Sequence, residues 1–304
     1  MSLYLQYRPD SLEAIRGNTT TVSKLQGLLK NRDKFPHTIL LQGMTGCGKT
    51  TIGRIIANEL GCKGNDYREI NSGDFRGIDT VRDISKACEY KPLEGPCRVY
   101  LIDECHKMTN DAQNAFLKRL EDTPKHIYFI LCTTDPGKLI AAVKNRCSTF
   151  QVDPLTDVQM KGLLKGVARK EGESLNDEIL SQIVQDSLGQ PRKALVILEQ
   201  VLSVSEEERL EVAKQTAIQE TQVIELCRVL LKKGASWKEV SSILVSIQEQ
   251  DPEDIRRMVL GYCKSVLLKS DNPTAGLIMD FFIEPFYNSG FPGLIHACYS
   301  VVKN

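Results

Sequence analysis

The sequence predicts a parallel α/β domain followed by an all-helical half. Two observations carry this. Up to residue 153, short apolar runs alternate with helical patterns, the signature of strands linked by crossover helices. Beyond Pro154 the strand-like runs vanish, and apolar residues recur at the 3.6-residue helical period.

Each element follows in order. Residues 38–41, Thr-Ile-Leu-Leu, read as a buried strand that runs into a glycine-rich loop. A helix is expected over 50–60, stopped by Gly61. A second strand covers 67–71, a helix 80–90, a third strand 98–102 and a helix 111–120. The fourth strand is 127–133 and the fifth 149–152. Three helices are then expected over 156–170, 176–187 and 191–203. Thr156 and Asn176 suit N-caps, and Pro191 suits a first helical position. A charged stretch, 205–211, leads into a second helical group ending near Lys303; its run Glu206-Glu207-Glu208 reads as a solvated helix start. The expected domains are 1–153, 154–204 and 205–304, without internal repeats.

Composition narrows the function classes. The 304 residues are 41% hydrophobic and 26% charged, as in ordinary soluble proteins. The 39 basic and 39 acidic residues cancel, so no global field draws in nucleic acid, and any such contact needs a local patch. None of the ten cysteines forms a Cys-x-x-Cys pair, which argues against a zinc site and for buried thiols in a reducing compartment. No signal sequence opens the chain, and no uncharged apolar run approaches the ~20 residues of a membrane helix. A soluble, intracellular (cytoplasmic) protein is expected, with no membrane partner.

Two motifs carry the chemistry. Gly43-Met44-Thr45-Gly46-Cys47-Gly48-Lys49-Thr50 fits the phosphate-binding pattern G-x-x-x-x-G-K-[ST], after a strand and before a helix. Gly43, Gly46 and Gly48 let backbone N–H groups approach phosphates, and the next helix offers its positive end. Lys49 is expected on the β- and γ-phosphates, with the Thr50 hydroxyl on Mg²⁺. Val99-Tyr100-Leu101-Ile102-Asp103-Glu104 is an apolar strand ending in two acids. Asp103 lies where parallel sheets bind ligands and is the second expected Mg²⁺ ligand, while Glu104 is free to take a proton from the attacking water.

Thr133-Thr134-Asp135 admits two readings, water-orienting residues or turn residues before Pro136-Gly137. His106 has no partner histidine for a metal, and a helix-start or packing role is expected. By themselves Arg146 and Arg192 read as solvated charges.

Taken together, these residues resemble the sliding-clamp loader ATPases of the AAA+ class, which include the DNA polymerase III gamma/tau subunit and the small subunits of replication factor C. The resemblance covers residues 4 to about 200. It rests on Tyr7-Arg8-Pro9, Pro36-His37, the run 99–104, Asn114-Ala115-Phe116-Leu117-Lys118-Arg119-Leu120-Glu121, and 130–139. It implies an AAA+ parallel sheet, a helical lid and a C-terminal helical collar.

The resemblance also implies roles. Tyr7-Arg8-Pro9 would pack near the adenine, and loop residues Thr45, Cys47 and Thr51 are also expected to bind the nucleotide. Arg146 matches the family's Ser-Arg-Cys arginine, with Asn145 in place of serine, and would reach the neighbouring subunit's ATP. Arg192, in Gly-Gln-Pro-Arg, matches sensor 2; Thr133 or Thr134 falls at sensor 1. Asn71 resembles the residue that holds the catalytic glutamate idle until DNA binds. Arg76, Arg82 and Lys86 lie where family members touch DNA phosphates.

The implied partners are other loader subunits in a ring or spiral, a sliding clamp and primer–template DNA. The chain departs from the pattern at Asn145, at Cys105 in the acidic box, and in lacking the Cys-rich zinc module of the bacterial gamma/tau subunits. Two other readings compete: a superfamily-2 helicase, suggested by Asp-Glu-Cys-His but needing two sheets, and a subunit that binds nucleotide without hydrolysing it.

Overall fold

The computed structural model describes residues 2–72, 77–232, 234–268, 270–286 and 289–303. Two compact units divide at residues 210 and 211.

The first unit opens with a one-turn helix α1 (Leu3–Gln6) and a longer α2 (Thr19–Leu29). Strand β1 (Thr38–Gln42) leads into α3 (Lys49–Glu59). Then follow β2 (Tyr67–Asn71), α4 (Ile78–Ala87), β3 (Arg98–Asp103), α5 (Asn110–Glu121), β4 (Ile127–Thr133), the short α6 (Ala141–Lys144) and β5 (Ser148–Gln151). The sheet order is β2-β3-β4-β1-β5, and every pairing is parallel.

Residue pattern explains the order. β1, β3 and β4 are almost wholly buried, the apolar runs of strands covered on both faces. β2 and β5 are mostly exposed or half-buried and occupy the edges. Alternating side chains divide the core. Ile39, Leu41, Leu101 and Ile130 pack with Ile52 and Ile56 of α3, while Leu40, Tyr100, Phe129 and Leu131 pack with Val81 of α4 and Phe116 of α5.

The expected ends shift slightly. The helix expected over 80–90 is α4, because Cys88 already caps it; the fifth strand is 148–151 rather than 149–152. The sequence pattern marks none of α1, α2 and α6. α2 opens on three threonines, poor helix formers, and fully buries only Thr21 and Leu25.

Helices α7 (Asp157–Lys170), α8 (Asp177–Ser187) and α9 (Pro191–Leu202) pack on one another. Thr156 forms a capping box with Gln159, Asn176 accepts from the Ile179 amide, and Pro191 stands at the first helical position. Glu206, Glu207 and Glu208 are exposed ahead of α10 (Arg209–Leu231).

The second unit continues from α10 through α11 (Trp237–Ser246), α12 (Pro252–Leu267), α13 (Pro273–Phe282) and α14 (Gly290–Lys303). Its core gathers Leu226, Leu244, Val259, Ile278, Phe282 and Leu294. A buried Glu253 joins two parts of it, accepting from the Phe286 amide at 2.9 Å while pairing with Arg256. Among its described residues there is no strand, so the second sheet a superfamily-2 helicase needs is not present there.

All ten cysteines are free, and all but Cys147 are buried. No helix among the described residues is long and apolar enough to cross a membrane.

Candidate functional site

The parallel sheet brings its informative residues to one edge. At the carboxyl ends of the strands, Asn71 of β2 stands in register with Asp103 of β3, and Thr133 of β4 with Gln42 of β1. The glycine-rich loop leaves β1 at that edge. Beside it lies a cleft of about 1050 Å³, lined by Tyr7, Arg8 and Pro9, by loop residues 45–51, by Asp103 and Glu104, and by Arg192.

The loop's shape depends on glycine. Gly48 adopts φ +102° ahead of α3, a conformation that L side chains rarely take. At Gly43 a Cβ would overlap the Val152 carbonyl oxygen. Gly43→Ala is therefore expected to destabilise the protein by about 1–3 kcal/mol through overpacking, read as a lowered midpoint in chemical denaturation.

Lys49 opens α3 and is only 5% exposed. Its Nζ donates to the carbonyls of Gly43 at 3.0 Å and Met44 at 2.8 Å. Burial pulls its ammonium below the ordinary lysine range, against the opposing pull of Glu104 and Asp103. Phosphate oxygens would favour the charged form here. The Cys47 thiol, pushed up by burial, stays neutral within the loop.

The Thr50 hydroxyl donates to Asp103 Oδ2 at 2.8 Å. The pair offers only hard oxygen donors, which suits Mg²⁺, an ion that takes one or two protein ligands and completes its shell with water and phosphate. No cluster of three or more His, Cys, Asp or Glu that could hold a metal occurs among the described residues.

Beyond Asp103 the chain turns sharply. Glu104 has φ +51°, and its amide donates to Asp103 Oδ1 at 2.9 Å. A short 3₁₀ turn, Cys105–Lys107, then carries His106 back toward β4. His106 stands in that turn with its ring nearly buried, in keeping with the expected helix-start or packing role, and it also meets polar neighbours: Nδ1 is 3.1 Å from Thr133 Oγ, and Nε2 stands 3.4 Å from Glu104 Oε2. The Thr134 hydroxyl donates to that same carboxylate oxygen at 3.2 Å. Thr134 thus meets the acid directly and Thr133 is joined to it only through His106, while Asp135 serves the turn by accepting from the Gly137 amide. No spacing rule in the sequence links residues 106 and 133; only β3–β4 pairing and the tight turn after Asp103 do.

The remaining candidates scatter. Arg192 sits over the Tyr4 ring, 5.8 Å from its centroid, and its amide donates to Gly46 at 3.4 Å. Arg146 is absent from the described residues lining the cleft; it pairs with Glu121 and donates to the Ala142 carbonyl at 2.9 Å. Arg82 and Lys86 lie one turn apart on α4, both exposed, with Arg82 also 3.0 Å from Asp79. Arg76 lies outside the described residues.

Fold and cleft together define a P-loop domain of the AAA+ class. The Holliday junction branch migration motor RuvB of Thermotoga maritima superposes with a TM-score of 0.58 over 71% of this chain and 78% of its own, at 21% identity, a likeness of fold. Residues 65–156 match the family model for the DNA polymerase III delta subunit. Residues 158–194 match an Arc-like DNA binding domain model, but that stretch is helical here, and Arc reads DNA with a β-ribbon.

The replication factor C small subunit of Methanococcus maripaludis is 32% identical over 218 residues, 70% of this chain and 68% of that protein. The tau subunit of Bacillus subtilis DNA polymerase III is 30% identical over 298 residues, 90% of this chain and 52% of that one. The gamma/tau subunit of Mycobacterium tuberculosis is 28% identical over 226 residues, which span 39% of its length. The chain belongs to the clamp-loader family of AAA+ proteins.

Proposed function

We propose that the protein is an ATPase subunit of a DNA sliding-clamp loader. One observation carries the reading: the buried Lys49, the joined Thr50 and Asp103, and Glu104 meet at a single sheet edge beside the cleft.

Each residue has a task suited to its position. Lys49 and the amides of residues 45–51 bind the triphosphate, with Tyr7, Arg8 and Pro9 beside the base. Thr50 and Asp103 hold Mg²⁺, which when bound neutralises charge on the β- and γ-phosphates. Glu104 takes a proton from the attacking water, and Asn71, across the strand pair from Asp103, restrains it until DNA arrives. Thr133 or Thr134 senses the terminal phosphate. Arg192 links the lid, residues 154–204, to the same phosphate. Arg146 serves the site of a neighbouring subunit, and residues 205–304 form the collar that holds subunits in a ring or spiral. Arg82 and Lys86, with Arg76, meet the phosphates of primer–template DNA.

The test is the ATPase rate of the assembled complex, measured with and without primer–template DNA and the cognate clamp. Stimulation by both is expected. A rate that neither changes would sink the loader reading; turnover of the assembly unchanged in Glu104→Gln would favour a subunit that binds nucleotide without turning it over.

A further inference from the structure

His106 is left without a task by the roles above, yet its ring is only 9% exposed and sits between Thr133 and Glu104. The hydrogen bonds around it decide its protonation. Thr133 Oγ already accepts from the Asp135 amide at 3.0 Å, and its hydroxyl hydrogen is within reach of His106 Nδ1 at 3.1 Å. On the other side of the ring, Nε2 faces a carboxylate oxygen at 3.4 Å. A ring protonated at Nδ1 would turn a lone pair toward that carboxylate. A ring protonated at Nε2 presents N–H to it, and a small rotation makes the hydrogen bond. Burial pulls the imidazole below the usual histidine range, Glu104 pulling the other way, so the neutral form is the relevant one near pH 7.

We propose that His106 is a positioning residue that ties the end of β4 to Glu104: the Thr133 hydroxyl fixes the ring with its proton on Nε2, and the ring with Thr134 orients the carboxylate. The inference rests on the ATPase reading for its kinetic consequence. It adds a physical link between the threonine pair, one of which is expected to meet the terminal phosphate, and the acid expected to activate water. The link is short. Thr133, His106 and Glu104 follow one another through two contacts, and Thr134 closes the group on the same oxygen.

Two measurements test it, both on the full chain. In ¹⁵N-histidine NMR, His106 is assigned among the four histidines by its loss in His106→Gln. Its neutral ring is expected to carry the proton on Nε2, and Thr133→Val is expected to move the Nδ1 resonance. A proton on Nδ1, or a ring indifferent to Thr133→Val, overturns the proposal.

In steady-state kinetics of the assembled complex, His106→Ala is expected to lower kcat by about tenfold to a hundredfold. Affinity for a fluorescent ATP analogue should stay unchanged. His106→Gln, which places an amide N–H near the Nε2 position, should recover most of the loss. In a Glu104→Gln background, His106→Ala should cost little more. An unchanged kcat in His106→Ala, or an equal loss in both His106 variants, overturns the proposal. A wild-type complex without turnover removes the ATPase reading instead, and the NMR result still decides the tautomer and the link.

Discussion

Changing Arg146 to alanine is expected to lower ATP turnover in the assembled complex by about a thousandfold or more, while the same chain keeps its affinity for nucleotide. An arginine supplied to the transition state of phosphoryl transfer contributes about 10³–10⁵ in rate, because it meets charge that develops only there. In this chain Arg146 points elsewhere than the cleft: its guanidinium pairs with Glu121 and donates to the Ala142 carbonyl. Its loss therefore leaves the chain's own Lys49, Thr50 and Asp103 untouched. Turnover and binding of a fluorescent ATP analogue, measured on one preparation, separate the two effects. Full turnover in the variant complex would show that Arg146 belongs only to its ion pair with Glu121.

The second large effect concerns stability. Asp66→Ala is expected to cost about 3–5 kcal/mol, the usual penalty for breaking one side of a buried ion pair. Asp66 is 0% exposed and Arg98 6%. The carboxylate lies 3.1 Å from the guanidinium and accepts from the amides of Leu93 and Glu94 at 2.8 and 2.7 Å. It pins the connection between α4 and β3 to the start of β2, so its removal frees a loop and strands a buried cation.

Burial pushes the Asp66 carboxyl up, but the Glu94 and Leu93 amides and Arg98 outweigh it and hold it below the usual range. The sign follows: this stability is fully present above the unfolded value of about 3.9 and is lost as pH falls through the lower folded value. Urea midpoints of wild type and Asp66→Ala should differ most near neutrality and converge in acid. Parallel curves at all pH values would refute the electrostatic part.

The sequence made some of this legible and hid the rest for definite reasons. β1, β3 and β4 are apolar runs between turn residues, so local pattern alone placed them within a residue. Thr156, Asn176 and Pro191 announced three helix starts through chemistry that acts over three residues. Lys49, Thr50 and Asp103 were found because a phosphate loop and an acid-ended strand are local motifs. The pairing of Asp66 with Arg98 and the meeting of His106 with Thr133 depend on strand order, which no local pattern encodes. α2 was missed because its threonines disfavour helix while packing, felt only in the fold, supports it.

The first residues of the chain have a consequence for how the base would be held. Ser2 bonds Glu199 of α9, Tyr4 lies under Arg192 of α9, and Tyr7 bonds Glu171 at the end of α7 with Lys170 over its ring. Residues far apart in sequence are thus tied to α7 and α9, two of the three helices proposed as the lid. A rotation of those helices is expected to carry Tyr7, and with it the wall of the cleft at Arg8 and Pro9. Under the proposed function, the grip on the base and the angle of the lid would be a single mechanical coordinate: a nucleotide that seats its ring would also set where Arg192 can reach.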